Sequence, residues 1–168
     1  MKPLVSIITG STSDLLVMEK TAQILNDLKI PFEMNALSAH RTPEEVEKFA
    51  KGAAGRGIRV IIAGAGMAAH LPGVVASFTS LPVIGVPVNV SLEGVDSVFS
   101  ILQMPPGIPV ATVGINAAQN AGILAAQIIG TGDEKVMKDV MKFREGLKKK
   151  IVEANEEMKK IKFKYKTN

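Results

Sequence analysis

The chain has only two histidines, His40 and His70, and each stands in a short loop crowded with small and polar residues. His40 lies in SAHRTPEE (38–45), between Ser38 and Arg41. An imidazole exchanges protons near neutral pH, which makes His40 the candidate proton-transfer group. Arg41 beside it can offer a phosphate a bidentate fork. The next residues read as a helix start, with Thr42 as cap, Pro43 at the first helical position and Glu45 completing a capping box. That grammar leaves Ser38, His40 and Arg41 unexplained. A lone loop histidine is more often structural than catalytic, so the reading of His40 depends on its company.

A second loop, GSTSD (10–14), follows an apolar run and precedes a helical pattern. Gly10 allows a tight turn, and amides at a helix N-terminus form an anion site. Ser11 and Ser13 add hydroxyl donors, although capping by Ser13 is the commoner role for such a serine. Asp14 would repel a phosphate. An acid beside a phosphate cradle commonly reaches sugar hydroxyls, so the two together point to a ribose phosphate. The Walker pattern of a triphosphate loop is absent.

A third loop, GAGMAAHLPG (64–73), holds His70. Gly64, Gly66 and Ala69 have the spacing of a dinucleotide fingerprint, but VIGVPVN about twenty residues on supplies no acid for a ribose. The small residues can instead bring backbone close to a planar ligand and shape a tight apolar pocket. His70 either lines that pocket or caps a helix beginning near Pro72. Two histidines and no cysteine give no recognisable metal-ligand set, and no G-x-S-x-G elbow marks a serine nucleophile.

These loops need elements to hold them. Apolar runs recur at 4–9, 32–37, 60–63, 82–86 and 109–113, mostly continuous, as in strands buried on both faces. Helical patterns fill the intervals at 15–28, 43–55, 73–80, 93–103 and 116–130. Strand alternating with helix predicts an α/β fold with a parallel sheet and right-handed crossovers. Ligands bind beyond the carboxyl ends of such strands, so the loops leaving the first three share one rim. From 133 to about 164, Val136, Val140, Phe143, Leu147, Ile151, Ala154, Met158 and Ile161 form one apolar stripe, predicting a long amphipathic helix. That stripe and the Ala-rich helix 116–130 both need burial, and both point to an oligomer.

At 168 residues the chain reads as a single domain, 1–168, with a core at 1–130. Its pI near 9.3 reflects the C-terminal segment alone, since residues from Asp133 onward carry a net +5 and the rest −1. With one Tyr and no Trp, stacking platforms for nucleic acid are missing. The N-terminal apolar run is too short for a signal peptide or a membrane span, so the expected location is cytoplasmic, with no membrane partner.

Taken in order, GSTSD, SAHRTP and AGxAAHLPG, then PVIGVPV, GVDSVFSILQMPPGIPVATV and NAAQNAGILAAQI, resemble the class I PurE family. Its members are N5-carboxyaminoimidazole ribonucleotide mutases of de novo purine synthesis, and the resemblance runs from about Val5 to Gly130. It implies a flavodoxin-like three-layer sandwich with a central parallel sheet and a long C-terminal helix. It also implies a homo-octamer with sites at subunit contacts and no metal or cofactor. A carboxylate would move from the exocyclic nitrogen of an imidazole ribonucleotide to a ring carbon, with transient CO2. Ser11, Ser13 and Asp14 would hold phosphate and ribose, with Ser38 and Arg41 completing the binding of the substrate. His40 would be the proton donor and acceptor. The third loop, including Gly64, Ala65, Gly66, Met67, Ala68, His70 and Leu71, would surround the base and the migrating carboxyl. Its small apolar residues, Ala65, Met67, Ala68 and Ala69, suit a pocket that excludes water.

Met67 stands where the family most often has glycine, and a side chain there would narrow the pocket or require a negative φ. The alternatives are a class II-type carboxylase that takes CO2 directly, a non-catalytic nucleotide- or flavin-binding module on the same fold, and a scaffold protein using the basic terminal helix.

Overall fold

A computed structural model of the chain describes residues 1–168. Five parallel strands are ordered β2-β1-β3-β4-β5. They are β1 (Val5–Thr9), β2 (Phe32–Ala36), β3 (Val60–Gly66), β4 (Val83–Val88) and β5 (Ala111–Thr112). The helices are α1 (Leu15–Asp27), α2 (Pro43–Arg56), α3 (Leu71–Ser77), α4 (Val95–Leu102), α5 (Ala118–Gly130) and α6 (Glu134–Lys160). This is a flavodoxin-like α/β sandwich. Every residue of β1 and β4 is buried; β4 is apolar throughout, while in β1 the buried Ser6 donates to Glu33, and β2 lies at the sheet edge and is half exposed.

The strand residues alternate between two cores. Val5, Ile7, Ile62, Ile84 and Val86 pack with Met18, Ile24 and Leu25 of α1, the alanines of α5, and Val136 and Val140 of α6. Ile8, Ile61, Ala63 and Val83 pack with Val46, Ala50 and Ala53 of α2, Leu71 and Val75 of α3, and Ile101 of α4. Helix α5 lies close on α1 at Gly122, where a Cβ would run into the Ile24 side chain. Thr21 Oγ1 donates to the Ala118 carbonyl at 2.7 Å across the same contact.

Several sequence expectations shift. Thr42 precedes α2, but its side chain makes no capping bond, so the capping box with Glu45 does not form. Thr42 Oγ1 instead accepts from Ser38 N–H at 3.0 Å and lies 3.1 Å from the Ser38 carbonyl, closing the loop ahead of the helix. Helix α3 starts at Leu71, two residues early, because a proline is tolerated in the first turn. Strand β5 keeps only two paired residues. Helix α6 ends at Lys160 rather than near 164, and Ile161 has extended backbone. The alanines of α5 are buried within the subunit, so this helix does not require a partner. The stripe of α6 does lack cover beyond Phe143, with Leu147, Ile151, Met158 and Ile161 exposed. Leu92, Val95, Phe99 and Leu102, around α4, add a second exposed apolar face that the periodicity did not reveal.

Candidate active site

Parallel strands bring the ends of β1, β2 and β3 to one edge, and the three loops meet there around a cavity of about 400 Å³. Its lining includes Ser11, Ser13 and Asp14 from the first loop, and Ser38, His40 and Arg41 from the second. Ala65, Gly66, Met67, Ala69, His70 and Leu71 come from the third.

In the first loop a single 3-10 turn, Thr12–Asp14, precedes α1. The serine that caps it is Ser11, whose Oγ accepts from Ser13 N–H at 3.3 Å, so the capping role falls to Ser11 and not Ser13. Ser13 Oγ lies 2.9 Å from Ser11 Oγ and 3.3 Å from Asp14 Oδ1. Ser11 Oγ accepts from Ser13 N–H and keeps its own proton to donate outward. Gly10 does not use left-handed backbone, and a Cβ there would meet only the Leu37 carbonyl at 3.9 Å. The contribution of Gly10 is its carbonyl, which accepts from Arg41 Nη2 at 2.6 Å.

Arg41 ties two loops together. Its Nε donates to Ser38 Oγ at 3.4 Å, and its backbone N–H donates to the same oxygen at 3.2 Å. The guanidinium is thereby fixed over the first loop with further N–H groups left for a ligand.

The two histidines are in contact, His40 Nε2 to His70 Nδ1 at 2.6 Å, with the rings nearly perpendicular. One ring presents an N–H and the other a lone pair, so the contact holds at most one doubly protonated imidazole. His70 directly precedes α3 yet makes no side-chain capping bond, which decides between its two roles in favour of the cavity.

Met67 adopts φ 56°, and Ala69 adopts φ 43°. Of the two consequences expected of a side chain at Met67, the negative φ is not found, and the side chain instead lines the cavity. A tight turn, with Ala69 N–H donating to the Gly66 carbonyl at 3.0 Å, holds both residues in left-handed backbone. The Met67 side chain stays 57% exposed, while Ala65 and Ala69 are buried. Gly64 and Ala68 do not line the cavity. A Cβ on Gly64 would come within 2.5 Å of Met18 Sδ, so that glycine admits α1 against β3 from behind the site.

Ala39 and Val90 also line the cavity and were not singled out from sequence. Val90 follows β4, whose C-terminal end shares the rim, and that parallel placement was the available signal. A Cβ on Gly66 would collide with Val90, so the third and fourth loops touch through that glycine.

A family model described as AIR carboxylase matches residues 4–150. The chain belongs to the AIR carboxylase family. Among its relatives in that family, the N5-carboxyaminoimidazole ribonucleotide mutase of Thermotoga maritima is 54% identical over 96% of this chain and 95% of its own. The mutase of Pyrococcus abyssi is 53% identical over 88% of this chain and 85% of its own. The phosphoribosylaminoimidazole carboxylase of Schizosaccharomyces pombe is 52% identical over 95% of this chain, which spans only 29% of that longer protein. The crystal structure of Treponema denticola PurE superposes with a TM-score of 0.84 at 34% identity, covering 94% of this chain and 99% of that one. The AIR carboxylase fold thus extends over nearly the whole chain.

No helix is long and apolar enough to cross a membrane. No three His, Asp or Glu side chains are grouped to hold a metal ion.

Proposed function

We infer that the chain is an N5-carboxyaminoimidazole ribonucleotide mutase of purine biosynthesis. It moves the carboxyl group of its substrate from the exocyclic nitrogen to a ring carbon. The observation that carries this reading is the meeting of hydroxyls, Arg41, Asp14 and both histidines in one cavity lined on another side by small apolar residues. The full-length relatives named as mutases support it.

The proposed roles follow the donors and acceptors available. Ser11, Ser13, Ser38 and Arg41 offer hydrogen-bond donors to the phosphate, and Asp14 accepts from the ribose hydroxyls. The third loop surrounds the base and the carboxyl group through Ala65, Gly66, Met67, His70 and Leu71, whereas Gly64 and Ala68 stand outside the cavity lining. Gly64 acts through packing.

The chemistry balances with one proton carrier. The N–C bond of the carbamate breaks, CO2 departs, and the electron pair left on nitrogen takes a proton from His40. The electron-rich ring carbon then attacks CO2, a C–C bond forms, and the ring proton at that carbon returns to His40. Nothing is oxidised or reduced, and the carboxyl group begins already activated on nitrogen, so the step asks for neither cofactor nor ATP. The small apolar lining keeps CO2 beside the ring between the two half-reactions. His70 sits where it can orient His40 through the shared proton.

The whole 168-residue chain serves as one domain in this reading. A cytoplasmic homo-octamer with sites at subunit contacts is also proposed, supported by the exposed apolar faces of α4 and of α6 beyond Phe143.

Incubation of the purified protein with the N-carboxylated nucleotide and 13C-bicarbonate, without ATP, tests the reaction. The mutase forms C-carboxylated product that stays largely unlabelled. Labelled product from the uncarboxylated nucleotide, with no conversion of the N-carboxylated one, establishes the direct carboxylase instead.

A further inference from the structure

Thr9, the last residue of β1, is buried and does not line the cavity, yet its hydroxyl reaches the one acidic group that does. Thr9 Oγ1 donates to Asp14 Oδ2 at 3.1 Å, in a bond shielded from solvent. Asp14 is itself only 6% exposed. At Oδ2 the carboxylate depends on an internal donor, because that side is shielded from water. Oδ1 has Ser13 Oγ at 3.3 Å, but that serine has one proton and a second acceptor in Ser11 Oγ. A phosphate accepting from Ser13 would remove it from Asp14 altogether. Thr9 is then the remaining side-chain donor to the carboxylate. The Thr9 proton also has a second acceptor, the Ser11 carbonyl at 3.2 Å, but a charged acceptor forms the stronger bond.

We propose that Thr9 is a positioning residue for the sugar end of the substrate. Its hydroxyl fixes Asp14 Oδ2, so that the rest of the carboxylate is held for the ribose hydroxyls. An ionised carboxylate has about four acceptor positions. With one given to Thr9, enough remain for both hydroxyls of a ribose diol, in a rotamer set from the strand rather than from the loop alone. Thr9 acts before the substrate arrives and touches none of its atoms. This assignment rests on the reading that Asp14 receives the ribose.

The test compares Thr9→Val, Thr9→Ser, Asp14→Asn and the Thr9→Val/Asp14→Asn double variant with the wild type. Steady-state mutase kinetics are measured together with thermal melting. Loss of one bond to a charged group predicts that Thr9→Val raises KM roughly ten-fold while kcat changes little. Thr9→Ser keeps the hydroxyl and is expected within about two-fold of wild type. The Thr9→Val effect should vanish on the Asp14→Asn background, since coupled residues are not additive. An unchanged KM in Thr9→Val overturns the assignment. So does an equal loss in Thr9→Ser, or a full additional loss in the double variant. A wild type inactive on the N-carboxylated nucleotide sinks the mutase reading itself, and this proposal with it. An active wild type with unaffected Asp14→Asn kinetics isolates the failure to the ribose role of Asp14.

Discussion

At the residue scale, the loops carry more information together than any one of them does. His40 in isolation reads as an ordinary loop histidine. What the sequence could not supply is the 2.6 Å contact with His70, thirty residues away, which depends on β2 and β3 both pairing in register with β1 between them. The role of Arg41 was half legible. Its guanidinium was expected to face a ligand, but its bonds to Gly10 O and Ser38 Oγ make it a brace between loops as well. Lysine carries the charge but not the planar fork that spans both partners. Arg41→Lys is therefore expected to raise KM about ten-fold with a smaller change in kcat, as measured by steady-state kinetics. An unchanged KM would remove Arg41 from the binding site.

Elements were most legible where burial left one choice. The runs at β3 and β4 read as central strands because nothing polar interrupts them, and β1 is broken only by Ser6, whose buried hydroxyl donates to Glu33. Boundaries were less legible where local bonds compete. Thr42 spends its hydroxyl on the loop rather than on the helix, and a leucine–proline pair opens α3 earlier than the periodicity indicated. The end of α6 did leave a mark, since Ile161, Phe163 and Tyr165 recur at a spacing of two, which a helix does not sustain. The close approach of α5 to α1 rests on Gly122, whose Cβ position is occupied by Ile24 and flanked by the Thr21 carbonyl at 3.3 Å. Gly122→Ala should cost about 1–3 kcal/mol as the helices separate, read as a lower midpoint in thermal or urea unfolding. Stability equal to wild type would mean that the contact is loose. Met67 presents the opposite case. Its left-handed backbone costs a non-glycine residue about 1 kcal/mol, so Met67→Gly should leave the melting temperature unchanged or raise it.

At the scale of the whole molecule, the subunit is a finished sandwich with unfinished surfaces. Helix α6 runs 27 residues, about 40 Å at 1.5 Å per residue, and only its first turns are buried against α5 and α1. Beyond Phe143 its apolar side chains face outward, as do those around α4. The α6 stripe was evident from spacing, whereas the α4 face emerged only once the sheet showed which side of that short helix it covers. Placing a charge at the centre of the stripe, as in Ile151→Glu combined with Met158→Glu, should lower the molar mass measured by light scattering while the subunit keeps its far-UV circular dichroism. An unaltered mass would show that α6 does not hold subunits together. Val90 is exposed and lines the cavity, so assembly over that rim would also close the space proposed to hold CO2.

One imidazole, that of His40, is proposed to carry the proton between the exocyclic nitrogen and the ring carbon. The most direct measurement is ATP-free conversion of the N-carboxylated nucleotide by wild type and by His40→Asn at equal protein concentration, with folding confirmed by circular dichroism. Wild type should form the C-carboxylated product, and His40→Asn should be slower by about 10² to 10⁴-fold, the usual contribution of a positioned general acid–base group. Conversion by His40→Asn within a few-fold of wild type would contradict the account.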